Sequence, residues 1–220
     1  MKNICLITGS RADYGLLFHL MKRINDFKDF NLQTVVTGMH LSPEFGLTIN
    51  EIVKDGFNIS KKVEMVISAD TETSVSKSIG LGVISFTDAL NDIKPDLVIL
   101  LGDRYEILSA SIASYILKIP IAHIHGGETT VGAFDEGIRH SITKMSSLHY
   151  TTSDVYKDRV IRMGENPNTV FNVGGLGVDA IKNTKLLNKK TLEKRIGFKF
   201  YEKNIILTFH PVTLERNTSL

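Results

Sequence analysis

The chain has 220 residues, 42% of them hydrophobic and 23% charged, an ordinary globular composition that disfavours disorder, collagen and coiled coil. Lys+Arg 26 against Asp+Glu 24 leaves a formal charge of +2, too balanced for a nucleic-acid partner, whose phosphates call for a basic face. The single cysteine, Cys5, excludes an internal disulfide framework and a cysteine-based zinc site, and fits a reducing compartment such as the cytoplasm.

At the amino terminus the short apolar run Ile4–Ile7 is too brief for a signal peptide and reads as the first strand, Asn3–Thr8. A helix over Leu16–Phe27 follows, then a strand at Leu32–Thr37, a short helix near Leu47–Lys54, a strand at Lys61–Val66 and a helix over Ser74–Asp92. Further strands are predicted at Leu97–Leu101, Ile121–His125, Leu148–Thr152 and Val170–Val173, alternating with helices at Tyr105–Leu117, Asp135–Ser146 and Ser153–Met163. Continuous apolar runs such as Leu97–Leu101 suit strands buried on both faces, as in a parallel sheet. Pro95 and Pro120 sit just before two of these strands, where a missing N–H costs little. The alternation predicts right-handed crossovers and an α/β fold, a doubly wound, Rossmann-like parallel sheet. No apolar run approaches the roughly 20 residues that span a bilayer, so no membrane partner is expected.

After Asp179 the composition shifts toward Lys and Asn. Residues 1–183 read as one Rossmann-like domain, 184–203 as a linker with a helix at Lys190–Ile196, and 204–220 as the first strand of an incomplete second domain. That strand, Asn204–Phe209, ends at His210-Pro211 with no helix after it to cover its faces.

In such a sheet, ligands bind beyond the carboxyl ends of the strands, where the strand order reverses between the first and fourth. Three glycine-containing polar loops should line that crevice: Thr8–Gly15, Gly102–Glu106 and Gly126–Thr130. Each leads into a helix, whose first N–H groups point outward and attract anions. Gly9 and Gly15 do not form GxGxxG, so a plain tight turn competes with phosphate binding there. Arg11 adds a fork-shaped cation suited to phosphate. Asp103 and Arg104 read either as site residues or as a surface ion pair. His123 and His125 alternate on one predicted strand and so share a side, but further metal ligands are not evident, leaving a strand-end histidine or an acid/base group. Asp135, Glu136, Arg139 and His140 open a helix, where acids complement its dipole. Lys144, His149, Lys157 and Arg159 read as ordinary solvated residues. NAD is disfavoured because the second strand ends in Val36-Thr37-Gly38-Met39-His40 without a ribose-binding acid, and GxxxxGK[ST] is absent.

Five strings add more: Thr8-Gly9-Ser10-Arg11-Ala12-Asp13-Tyr14-Gly15, Val36–His40, Leu101-Gly102-Asp103-Arg104-Tyr105-Glu106, His123-Ile124-His125-Gly126-Gly127-Glu128, and Ile138-Arg139-His140-Ser141-Ile142-Thr143-Lys144. Together they resemble the hydrolysing UDP-N-acetylglucosamine 2-epimerases of sialic and legionaminic acid synthesis, from Met1 to about Pro211. The resemblance implies a two-domain fold of glycosyltransferase-B type, of which this chain supplies the first domain. It also implies a UDP-sugar ligand, no metal and no redox cofactor, and a homodimer or homotetramer.

By motif matching, Arg11 meets the phosphates, within a substrate-binding set of Gly9, Ser10, Arg11, Asp13, Arg104 and Arg139. Asp103, Glu128, Asp135 and Glu136 become acid/base or sugar-contact residues, Arg139 holds the carboxylates, and His210 reaches across the cleft. Several members of the family carry a catalytic glutamate where His125 stands here, so His125 joins the catalytic candidates. Two rival readings remain open at this level: the same reaction on UDP-N,N'-diacetylbacillosamine, and a nucleotide-binding domain without catalysis.

Overall fold

The computed structural model describes residues 1–69, 71–130 and 132–208. His210 and the predicted strand end at Phe209 lie outside these residues. The elements run β1 (Lys2–Thr8), α1 (Arg11–Asp26), β2 (Phe30–Thr37), α2 (Ile49–Lys54), β3 (Ile59–Val63), α3 (Glu72–Ile93), β4 (Leu97–Leu101), α4 (Tyr105–Ile116), β5 (Ile121–Ile124), α5 (Asp135–Met145), β6 (Leu148–Thr151), α6 (Asp154–Arg162), β7 (Val170–Asn172), α7 (Leu176–Asn183) and α8 (Lys189–Ile196). The seven strands form one parallel sheet in the order β3-β2-β1-β4-β5-β6-β7. The order reverses between β1 and β4, as the sequence predicts.

Alternation along the strands sends side chains to two helical layers. Cys5, Ile7, Val98 and Leu100 face α3, α4 and α5, meeting Phe86, Leu90, Ile107 and Ile142. Ile4, Leu6, Ile99 and Leu101 face the opposite layer, meeting Leu17, Met21 and Ile24 of α1 and Ile52 of α2. Each such side chain, fully buried, contributes about 1.5–3 kcal/mol. Among the described residues no helix is long and apolar enough to cross a membrane.

Three departures from the predicted elements have physical reasons. Helix α1 begins at Arg11 rather than Leu16, because the Ser10 side chain accepts from the Asp13 N–H and caps the polar first turn. Helix α7 was not expected, since Leu176–Asn183 follows Gly174-Gly175 and buries none of its residues. Asn204–Thr208 forms no strand, and Ile205 remains 94% exposed, because among the described residues no neighbouring strand pairs with it.

Candidate active site

The crevice at the carboxyl ends of β1, β2 and β4 is shaped by close backbone approaches. Gly38, just after β2, has φ +60, and a Cβ there would lie 2.7 Å from Glu106 Oε1 and 2.8 Å from the Gly9 carbonyl. Only glycine admits both that conformation and that contact. The space is filled by Glu106, in the first turn of α4, which is completely buried. Arg104 donates to it twice, from Nη2 to Oε1 at 2.8 Å and from Nε to Oε2 at 3.2 Å. Asp13 Oδ2 lies 4.0 Å from the same guanidinium and is buried without a hydrogen-bond partner among the described residues. Burial raises the Asp13 pKa, opposed by Arg104.

The second half of the crevice lies between β4 and β5 and is organised by Arg139 of α5, which is buried at 7% exposure. Its Nη2 donates to Asp103 Oδ2 in a very short contact. Its Nη1 donates to the His125 carbonyl at 3.0 Å and to Glu128 Oε2 at 3.4 Å. Glu128 Oε1 also accepts from Thr152 Oγ1 at 2.9 Å and stands 3.7 Å from His125 Nδ1. One cation thus gathers two carboxylates and the backbone of a histidine. Burial raises the pKa of Asp103, with Arg139 pulling it back and the nearby acids pushing it up again. Burial likewise lowers the pKa of His125, so its imidazole is held toward the neutral form. A group of carboxylates and a neutral imidazole around one point is suited to moving protons.

Several sequence expectations are corrected here. Asp103 and Arg104 do not pair with each other; they turn to Arg139 and Glu106 respectively. His123 and His125 do not share a strand side, because β5 ends at Ile124 and His125 sits beyond it at φ +65. His123 points inward instead, its ring between the Gly102 carbonyl at 2.8 Å and Thr143 Oγ1 at 3.1 Å, and burial lowers its pKa to about 3. His149 is not solvated but fully buried, 3.2 Å from Glu165, which also accepts from Lys144. Arg159 is not free either: it donates to the Gly127 carbonyl at 2.5 Å and lies over the Tyr156 ring.

Of the remaining candidates, Gly9 and Ser10 line the β1–α1 turn, and Arg11 is largely exposed and pairs with Glu51 at 3.2 Å. Asp135 begins α5, and Glu136 accepts from the Thr130 N–H at 3.1 Å, tying down the loop after β5. Glu106, His40 and Thr152 were missed as site residues. Glu106 and His40 stand inside the quoted motifs, yet burial alone marks them: His40 is fully buried between Thr8 and Thr48, its pKa lowered to about 4 by desolvation. Among the described residues, no three His, Cys, Asp or Glu side chains are placed to hold a metal ion.

Comparison with known proteins places this geometry in context. The chain is 45% identical over 218 residues to the GDP/UDP-N,N'-diacetylbacillosamine 2-epimerase (hydrolyzing) of Campylobacter jejuni, spanning 99% of this chain and 56% of that protein. It is 44% identical to the Polysialic acid biosynthesis protein P7 of Escherichia coli, spanning 97% and 54%. The chain therefore covers about half the length of the relatives it matches. The UDP-GlcNAc 2-epimerase from Neisseria meningitidis, solved bound to UDP-GlcNAc, superposes with a TM-score of 0.73 at 18% identity, covering 89% of this chain and 53% of that one. That likeness is one of fold, a Rossmann-like domain of glycosyltransferase-B type. The UDP-N-acetylglucosamine 2-epimerase family matches residues 22–220, and the chain belongs to that family.

Proposed function

We propose that this protein acts as a hydrolysing UDP-sugar 2-epimerase, with UDP-N-acetylglucosamine as substrate and N-acetylmannosamine and UDP as products, in nonulosonic (sialic) acid synthesis. The observation that carries the reading is the Asp103–Arg139–Glu128 cluster beside His125, at the crevice where a doubly wound sheet binds its ligands. In the reaction a base takes the proton from carbon 2 while the bond from carbon 1 to the UDP oxygen breaks, an anti elimination that leaves a glycal. Water then adds across the double bond, hydroxyl to carbon 1 and proton to carbon 2 on the opposite face.

Asp103, its pKa raised by burial, and His125, held toward the neutral form, are the groups assigned to exchange that proton. Arg139 keeps Asp103 and Glu128 in position. Asp135 and Glu136 stand at the sugar end, while Gly9, Ser10, Arg11, Asp13 and Arg104 face the diphosphate. Residues 1–183 form one wall of the cleft, and the segment 204–220, with His210 as acid/base or diphosphate partner, begins the other. A cytoplasmic homodimer or homotetramer fits this reading.

The name of the Campylobacter relative favours a second substrate, UDP-N,N'-diacetylbacillosamine. Both are tested by incubating the protein at the full length of its relatives with each UDP-sugar in D2O and following products by NMR. The expected result is release of UDP with deuterium at carbon 2 of one free sugar. Release of UDP without deuterium, or no release from either, would reject the epimerase reading.

A further inference from the structure

Glu106 is a costly residue for the fold. A carboxylate with no solvent exposure loses its hydration, and that loss is tolerated only where a cation and hydrogen bonds replace it. Here its only side-chain hydrogen bonds among the described residues come from Arg104. The backbone has been cleared to admit it. Gly38 is left-handed and would clash with the carboxylate if it carried a Cβ, and Gly9 packs 3.6 Å from the Glu106 Cβ by the same measure. Three strand ends, β1, β2 and β4, therefore converge on one buried acid.

The consequence falls on Arg104. With Nε and Nη2 both taken by Glu106, the plane of the guanidinium is set by a two-point fork. Its Nη1 has no protein partner among the described residues, and the side chain keeps 28% exposure at the crevice. Burial works against the arginine's charge, but Glu106, helped by Asp13 and Tyr105, outweighs it, so the group stays cationic. Arg11, by contrast, swings on an exposed stem 75% open to solvent and is held by one exposed acid.

We propose that Glu106 is a positioning residue that fixes Arg104 so that its Nη1 donates to an anionic group in the β1–β4 crevice, making Arg104 rather than Arg11 the preorganised anion contact. The identity of the anion as a uridine diphosphate rests on the function proposed above; the fixing of Arg104 does not. A preorganised donor binds more tightly because its side-chain entropy is already lost in the free protein.

Two readouts on the 220-residue chain test this. By 15N NMR without ligand, the Arg104 Nε–H should be slow to exchange in the unmutated protein and fast in Glu106→Gln. By calorimetry, Glu106→Gln should weaken UDP binding about tenfold, the scale of one charge-assisted hydrogen bond. That loss should vanish when Arg104 is already replaced by Lys, since a residue acting through another shows no separate effect. Glu106→Asp, which keeps the charge but withdraws it by one methylene, should fold where Glu106→Gln does not and should show the same two effects. Undiminished UDP affinity, or an equal loss in the Arg104→Lys background, would overturn the proposal. If the unmutated chain binds no UDP and the protein at the full length of its relatives binds none either, the UDP-sugar reading falls. The positioning role is then decided by the Nε–H signal: lost on substitution it stands, kept it fails.

Discussion

Arg104, just beyond β4, and Arg139, on α5, serve neighbouring parts of one crevice and do opposite things. Arg104 gives two bonds to the single carboxylate of Glu106, with Asp13 farther off at 4.0 Å. Arg139 is divided among Asp103, Glu128 and the His125 carbonyl, leaving more negative charge than it can offset. The first arrangement locks a geometry. The second shares its charge, and Asp103, raised by burial first and by the neighbouring acids after that, holds its proton more readily than an exposed aspartate would. Side-chain type is the same in both places; the hydrogen-bond geometry, set by which loops converge, separates a two-point anchor from a counter-charge shared among several acceptors.

The largest expected effect breaks the second arrangement outright. Arg139→Met leaves two partly buried carboxylates without a counter-charge and should lower unfolding stability by about 3 kcal/mol. Arg139→Lys should recover part of that loss in urea titrations, and a Met variant as stable as the parent would show that the cluster is better solvated than its burial suggests. Next, Asp103→Asn keeps the shape and one hydrogen bond but cannot exchange a proton. Under the proposed function it should cut UDP release by about 10²-fold or more while the Tm stays near that of the parent. Unchanged turnover would remove Asp103 from the chemistry, and a collapse of Tm would make it structural.

A pH titration sharpens the comparison further. His123 and His40 are buried neutral, their pKa values lowered to about 3 and about 4, so below pH 6.5 the unfolded chain binds protons that the folded one does not. Their contribution is present above pH 6.5 and is lost as pH falls through the window toward 4. Asp103 and Asp13 act in the opposite sense: their raised values favour the fold at low pH and cease to do so as pH rises through them. The deeply shifted histidines should dominate, so the urea midpoint should fall between pH 6.5 and 4.5 and fall less in His40→Asn. A flat profile would mean that the histidines are protonated in the fold. The smallest effect belongs to Arg11. Its exposed pair with Glu51 predicts that Arg11→Ala changes stability by no more than about 0.5 kcal/mol. UDP affinity should then drop less than in Arg104→Ala, and the reverse order by calorimetry would restore Arg11 as the main diphosphate contact.

The sheet was legible because its signal is local. Leu97–Leu101 is a short, continuous apolar run of the kind that suits a strand buried on both faces, and Pro95 lies just before its start. The crevice between β1 and β4 followed from the alternation once the common doubly wound strand order was taken, and the sheet has that order. The extent of α1 was half legible: the Ser10 cap and Asp13 were in view, but the polar turn Arg11–Gly15 carries no apolar periodicity. Asn204–Thr208 shows the converse: its apolar pattern is that of a strand, while the hydrogen bonds that make one must come from a neighbour.

By itself, then, the sequence determined the layered α/β fold, the glycine-bearing loops at its crevice and the set of ionisable residues gathered there. Tertiary structure alone decided the pairings: that Asp103 and Arg104, adjacent in the chain, turn to Arg139 and Glu106, and that His149 is buried while Arg11 is not. Backbone periodicity is written in near neighbours, whereas the partner and the solvation of a charge depend on residues that folding brings together from distant parts of the chain. Glu106, three residues after Asp103 and indistinguishable from it in sequence, acquires its character only when Gly9 and Gly38 close around it.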